Sequence, residues 1–234
     1  MQVKYQTIVA DPPWPYESSD GGMLRASTKH RPNSGGAKAK SVGIANGRYD
    51  AMSVENICNL WVPAAANAHL YLWTTNAFMV EAHEVARAWG FKPKTICTWV
   101  KTHHGDAERV SMKTGYYFRG ATEHFLFCVR GSLPLNNHSL PTAYLWHRLP
   151  HSVKPDAFYD LVETASPGPY IELFSRRARF GWDVWGDESL ATVDLVSAGS
   201  NPARCPVCEG LDQPGLLHNP LAPYCSESNQ ESQP

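Results

Sequence analysis

No apolar run in the sequence is long enough to cross a bilayer. The most apolar window, Leu60 to Val80, is broken by Asn67, His69 and Asn76, whereas a spanning helix needs about 20 apolar residues. Asp11 and Pro12 interrupt the N-terminal apolar stretch before a secretion signal could form its core, so no such signal is expected. Charge is scarce too. Charged residues make up 18% of the chain and the net charge is −1, which excludes a disordered polyelectrolyte and gives no sign by itself of a nucleic-acid partner. There is no G-x-G-x-x-G, so glycine spacing alone points to no nucleotide site, and there is no internal repeat. Of six cysteines, Cys58, Cys97 and Cys128 lie in apolar surroundings. They read as buried thiols and imply a reducing, cytoplasmic compartment.

What is present begins with enough apolar residues, 43% of 234, for one large domain, with eight tryptophans for packing or stacking. The average charge hides a split. Residues 200–234 carry Arg204 against Glu209, Asp212, Glu227 and Glu231. Residues 21–50 carry Arg25, Lys29, Arg31, Lys38, Lys40 and Arg48 against Asp50 alone. That basic segment lies in a loop, 17–50, without sustained periodicity; it reads either as a solvated loop or as an arm that meets phosphates.

The order of elements indicates the fold. Tyr5 to Ala10 reads as a strand. Ser53 caps a short helix through about Leu60. Ala68 to Trp73 is a buried strand. Phe78, Ala82, Val85, Ala86 and Trp89 share a helix face that Gly90 ends. Thr95 to Val100 and His124 to Val129 are strands, separated by a polar, mixed stretch, 103–120. Residues 131–150 read as a loop. Pro155 opens a helix with Phe158, Leu161 and Val162 on one face. Tyr170 to Phe174 and Asp183 to Trp185 are the last strands. Strands alternating with helices predict an α/β fold with a wound, mostly parallel sheet over residues 1–195, whose ligands sit beyond the carboxyl ends of the strands. Asp11 lies at such an end, and Lys101 and Ser175 follow others.

The stretch "IVADPPWPY" is the sharpest local signal. Pro12 and Pro13 have no N–H and a fixed φ, and each residue before a proline is pushed toward extended geometry. The segment thus offers one carboxylate (Asp11), one rigid carbonyl (Pro12) and one flat ring (Trp14). A flat ligand bearing an NH2 group matches it, with one hydrogen to Asp11, one to the Pro12 carbonyl and its ring on Trp14. The 6-amino group of adenine fits, and the carboxylate would stabilise positive charge developing on that nitrogen. Pro-Pro-aromatic also marks turns and polyproline recognition segments; the position after a strand favours a site.

Ordered blocks extend this from Tyr5 to about Glu188: "VADPPW", "YDAMSVENI", "LYLWTTN", "ARAWGFKPKTICTWVK", "GYYFRGATEHFLFCVRG", "HSVKPDAFYDLVE" and "PGPYIELFSRRARFGWDVWGDE". Together they resemble the DPPW-type adenine-N(6) methyltransferases, the MT-A70 family. The resemblance implies a Rossmann-like fold that uses S-adenosylmethionine. Its catalytic tetrapeptide falls on Asp11, Pro12, Pro13 and Trp14. The lysine that approaches the methionine carboxylate falls on Lys154. Glu172 and Arg176 fall at the cofactor ribose and nearby polar groups, and Asp187 and Glu188 by the adenosine moiety. Eukaryotic members have Gly where Ser175 stands and Asn-Gln where Asp187-Glu188 stands. Taken singly, Glu172 and Arg176 also read as a surface ion pair.

His103 and His104 read as loop histidines that, with Lys113 and Arg119, line either a nucleic-acid path or plain surface. Glu123 and His124 belong to a block, but their role is not legible. In the tail, 196–234, Cys205, Cys208, His218 and Cys225 have the types of a small zinc site. No second C-x-x-C accompanies them, so a disordered or loosely packed tail is expected instead. The resulting expectation is a cytoplasmic S-adenosylmethionine-dependent methyltransferase acting on adenine in nucleic acid, with DNA ahead of RNA. The remaining alternative is a non-catalytic nucleic-acid-binding subunit of the same fold. In a duplex the target base must leave the stack, and the basic 17–50 loop is expected to order over it.

Overall fold

The computed structural model describes residues 4–16, 51–115, 117–150, 153–186 and 191–192. The expectations for the 17–50 loop, Asp187, Glu188 and the cysteine-bearing tail lie outside these residues. Strands are β1 (Tyr5–Ala10), β2 (Ala64–Thr74), β3 (Lys92–His103), β4 (Asp106–Val110), β5 (Thr122–Arg130), β6 (Ala143–His147), β7 (Tyr170–Leu173) and β8 (Trp182–Trp185). Helices are α1 (Val54–Cys58), α2 (Met79–Ala88) and α3 (Asp156–Ala165). The sheet order is β4-β3-β5-β2-β1-β7-β8, with β6 paired to β3. The pairings make β1, β2, β3, β6, β7 and β8 run one way and β4 and β5 the other. The wound, mostly parallel α/β sheet is therefore present, with one reversed strand, β5, in its interior and another, β4, at its edge.

Period-two alternation sorts the core into two faces. Ile8, Leu70, Leu72, Leu126 and Cys128 face α1 and α2, where Ile57, Val85 and Trp89 meet them. Val9, Tyr71, Trp73, Phe125 and Phe127 face α3, where Phe158, Tyr159 and Val162 meet them. One face is thus mostly aliphatic and the other aromatic, and both are covered. Helix α1 has the expected cap, Ser53 Oγ accepting from Asn56 N–H at 3.1 Å. Gly90 follows α2 with φ +78°, the left-handed value that lets the chain turn into β3.

Two strands correct the sequence reading. β4 lies inside the polar, mixed stretch 103–120, and β6 inside 131–150, which reads as a loop. β4 is exposed at every residue and β6 alternates only between exposed and half-buried. Neither has the apolar contrast that betrays a strand; both form by pairing with β3. β3 is also longer than expected, so Lys101 lies within it rather than after it. Cys97 and Cys128 are buried as expected, their thiols pushed up to about 11 and about 12 by burial. Cys58 is only half-buried.

His69 is fully buried on the aromatic face. Its Nε2–H donates to the Leu133 carbonyl at 2.9 Å, so Nδ1 accepts from Ser166 Oγ at 2.7 Å. The Tyr71 hydroxyl in turn donates to Ser166 Oγ at 2.7 Å. Burial pulls His69 below its ordinary 6.5, the Leu133 bond only partly offsetting it. The unfolded chain therefore takes this proton first. The contribution of His69 to stability is complete above about pH 6.5 and falls as pH drops through that value toward the lower folded one. Thermal unfolding should show a midpoint that declines from pH 7 to 5, with a shallower decline in His69→Asn. An equal slope in both proteins would assign the effect to other groups.

Candidate active site

β1 pairs in parallel with β2 and β7, Ala10 standing opposite Leu72 and Leu173. Asp11 is the next residue, so it emerges where three parallel strands end together, the ligand edge of such sheets. The prolines then shape the chain. Trp14 N–H donates to the Pro12 carbonyl at 2.9 Å, and Tyr16 N–H to the Trp14 carbonyl at 3.0 Å. Each closes a three-residue turn with a proline, Pro13 or Pro15, at its centre, where the fixed proline φ suits an inverse γ-turn. The Pro13 carbonyl is taken by Met52 N–H at 3.0 Å. The Pro12 carbonyl keeps a second lone pair.

Trp14 is not the open stacking face that the sequence suggests. Its ring is 5% exposed and stacks on Phe78, centroids 5.5 Å apart at 14°. Its Nε1–H donates to the Trp73 carbonyl at 3.1 Å. A buried indole needs an acceptor and finds one at the end of β2, which anchors the proline segment to the sheet. The open aromatic is Tyr16, 41% exposed, edge-on to Phe78 at 4.8 Å, with its hydroxyl 3.0 Å from Thr75 Oγ1.

Asp11 belongs to a line of four alternating charges. Lys154 Nζ lies 2.7 Å from Asp11 Oδ2 and 3.4 Å from Glu123 Oε2. Glu123 Oε1 pairs in turn with Lys101. Both ammonium groups rest on rings, Lys154 on Trp73 and Lys101 on Trp99, each 4.6 Å from the centroid. Burial alone would push Lys154 down, but the Asp11 and Glu123 carboxylates outweigh it and hold Lys154 above its ordinary value. Burial would lift Glu123, yet Lys154 and Lys101 together hold it below. Lys101 ends lowered, because its burial outweighs the one carboxylate that it shares with Lys154. Among the described residues only Oδ2 of Asp11 is engaged, leaving Oδ1 open.

Glu172, on β7 opposite Val9, is 7% exposed. It accepts from the Tyr159 hydroxyl at 2.7 Å and lies 3.1 Å from Ser175 Oγ. Burial raises its pKa, the two hydrogen bonds offset this in part, and the nearby Asp11 charge adds to the rise. A surface carboxylate is therefore not what stands here. The exposed ion pair of this region joins Asp156 to Arg177 and Arg179, at 2.6 and 2.7 Å. Phe174 follows β7 with φ +63°, a left-handed value uncommon for a non-glycine residue. That bend turns Ser175 back toward Glu172. Arg176 is half-buried in the turn that follows.

The structure therefore brings together Asp11, Pro12, Lys154 and Glu172, and adds Glu123 and Lys101. The carboxylate of Glu123 arrives on the reversed strand β5, at the edge where the parallel strands end, a relation no spacing in the sequence displays. Among the described residues no cluster of three or more His, Cys, Asp or Glu could hold a metal ion. No described helix is long and apolar enough to cross a membrane.

A profile of the MT-A70 family matches residues 5–188. The chain belongs to the MT-A70 family. As a member it is an adenine-N(6) methyltransferase on a Rossmann-like fold. It is 33% identical over 193 residues to the type II methyltransferase M.MunI of Mycoplasma sp, covering 79% of this chain and 78% of that protein. It is 30% identical over 155 residues to a putative N(6)-adenosine-methyltransferase of Medicago truncatula, covering 64% of this chain and 25% of that one. To the human N(6)-adenosine-methyltransferase catalytic subunit METTL3 it is 29% identical over 131 residues, 55% of this chain and 23% of that one. The chain thus spans about a quarter of the length of these plant and animal MT-A70 relatives.

Proposed function

We propose that this MT-A70 protein transfers a methyl group from S-adenosylmethionine to the 6-amino group of adenine in DNA. The observation that carries the chemistry is the pair of acceptors at the strand edge, Asp11 Oδ1 and the second lone pair of the Pro12 carbonyl, both on a segment closed by proline-centred turns. An exocyclic amino group has two hydrogens to give, one to each. Its lone pair is delocalised into the ring, and drawing on both hydrogens favours the tetrahedral geometry that attack requires. Positive charge accumulates on the nitrogen as it gains the methyl group. Asp11 stabilises that charge and accepts the proton that the nitrogen must lose. Lys154 on Oδ2 fixes the orientation of the carboxylate, and Glu123 shares the lysine charge, so Asp11 is not neutralised.

The residues present fit the methyl donor, which when bound supplies the electrophilic methyl group. Lys154 and the buried Trp73 Nε1–H, which has no partner among the described residues, suit the carboxylate of its amino-acid end. Glu172 keeps acceptor capacity for a ribose hydroxyl beyond Tyr159 and Ser175. Arg176, Asp187 and Glu188 are assigned to the nearby ribose and adenosine groups.

DNA is favoured over RNA by coverage: the chain matches the type II methyltransferase over most of its length and the N(6)-adenosine-methyltransferases over about a quarter of theirs. The six cations of residues 21–50 suit a phosphate backbone. Labelled methyl transfer to matched DNA and RNA pools, followed by nucleoside analysis, is expected to yield N(6)-methyldeoxyadenosine. Label in RNA alone would overturn the DNA assignment. Label in neither, from folded protein that binds nucleic acid, would leave a non-catalytic role.

With Trp14 buried, we assign the face that receives the adenine ring to Tyr16. Loss of one base–aromatic stack costs about 1–3 kcal/mol, so Tyr16→Ala should raise KM for nucleic acid by about tenfold or more while Tyr16→Phe stays near wild type. Equal losses in both would place the effect in the Thr75 hydrogen bond instead.

A further inference from the structure

At the same edge, the segment between β4 and β5 leaves and returns at one residue. Ser111 N–H donates to the Lys101 carbonyl at 2.7 Å, and Lys101 N–H donates to the Ala121 carbonyl at 2.9 Å. Above them Lys113 N–H donates to the Gly120 carbonyl at 2.8 Å and closes a neck. Inside the loop Gly115 packs on backbone: a Cβ there would collide with the Phe118 carbonyl oxygen. The loop is thus tied at its base, with Gly115 set close against the Phe118 backbone.

A loop so constrained would be expected to turn its aromatic residues inward. Instead Phe118 is 94% exposed. Phe180 is as exposed, but it lies two residues before β8 and so toward the opposite edge of the sheet. From Arg109 to Arg119 the sequence holds three cations, Arg109, Lys113 and Arg119, and no carboxylate. The base of the loop is Lys101, whose ammonium pairs with Glu123, then Lys154, then Asp11. A loop closed at its neck, with an exposed aromatic tip and a cationic stem, three ion pairs from the reacting carboxylate, has the chemistry of a wedge for nucleic acid: apolar side chains enter base steps while cations hold phosphates. A protein surface would complement the aromatic tip equally well but not the run of cations without a carboxylate.

We propose that the Lys113–Gly120 loop is a strand-opening wedge, with Phe118 entering the base stack beside the target adenine and Lys113 and Arg119 holding the flanking phosphates. The proposal rests on the DNA reading above and adds to it how the base is made to leave the duplex. Extrusion of a paired base carries a free-energy cost that is smaller when the base is unpaired or single-stranded. An element that offsets this cost matters only where the cost exists.

The test compares the full-length wild type with Phe118→Ser and Phe118→Trp. Each is assayed on a duplex carrying the site that the wild type modifies, on the same duplex with the adenine opposite an abasic position, and on the single strand. Phe118→Ser should lose about tenfold or more in kcat/KM on the matched duplex and recover most of it on the other two. Phe118→Trp should retain activity on all three. The fluorescence of 2-aminopurine at the target position should rise on binding of wild type and not of Phe118→Ser. Equal losses on all three substrates, or no loss, would overturn the wedge. So would a wild-type dimer that Phe118→Ser dissociates with no dependence on substrate, which would make the tip a protein contact. A wild type that modifies no DNA would fail the underlying reading first, and the wild-type arm alone reveals that.

Discussion

Asp11→Ala is expected to lower methyl transfer by about a thousandfold or more, the scale set by removing one preorganised electrostatic stabiliser together with a proton acceptor. The substitution deletes the carboxylate that stands beside the Pro12 carbonyl and leaves that carbonyl to orient the amino group alone. Asp11→Asn separates two contributions. It keeps an oxygen that accepts a hydrogen bond but carries no charge, so activity near that of Asp11→Ala assigns the effect to charge rather than to orientation. Both variants should bind the methyl donor nearly as tightly as wild type, measured by calorimetry, because Lys154, Trp73 and Glu172, which are assigned to the donor, are themselves retained and Lys154 keeps Glu123 as a partner. Turnover by Asp11→Ala at the wild-type rate would refute the catalytic assignment outright.

Lys154→Met is expected to damage stability as well as activity. Lys154 lies between two carboxylates and is 9% exposed, while Asp11 and Glu123 are 27% and 23% exposed. Breaking a fully buried pair costs about 3–5 kcal/mol; because water still reaches both carboxylates, about 2–3 is the fitting figure here. That corresponds to a fall in Tm of roughly 5–10 °C for a domain of this size. The pH dependence identifies the cause. Glu123 is held below its ordinary 4.5 in the folded protein by its two lysines, against the effect of burial. A carboxylate lowered in this way contributes stability that is complete above about 4.5 and is lost as pH falls through the lower folded value. The gap in Tm between wild type and Lys154→Met should therefore be widest above that pH and shrink below it. A gap that stays constant with pH would show that contact with the Trp73 ring, not charge, is what the lysine supplies.

The parts of this protein that were legible in its sequence are those specified locally. β1 and the turn after it are set by an apolar run ending in two prolines, and the two long helices by 3.6-residue periodicity. The positions of Asp11, Lys154 and Glu172 at one edge follow once the sheet is recognised as wound. What was not legible depends on partners far along the chain. Trp14 looks like an open ring until Trp73, 59 positions later, offers its carbonyl. β4 has no buried face and β6 only a half-buried one, so neither sequence carries a clear apolar–polar contrast. Glu123 approaches Lys154 from 31 positions away, on a strand whose reversal inverts which of its ends reaches the site. Pattern reading assigns strands but not their direction, and the charge line at Asp11 is a consequence of direction.

The proline-closed turns have an energetic consequence of their own. Proline restricts the unfolded chain as well as the folded one, so Pro13 and Pro15, where their native geometry suits the ring, each add about 0.4–1 kcal/mol by removing conformations that folding would otherwise have to give up. The entropy of fixing the Asp11 and Pro12 acceptors is therefore spent when the chain folds and not when adenine arrives. A base entering this site meets groups already immobile, so little of its binding free energy is diverted into ordering the protein. In that sense the tetrapeptide stores at folding the order that recognition later uses.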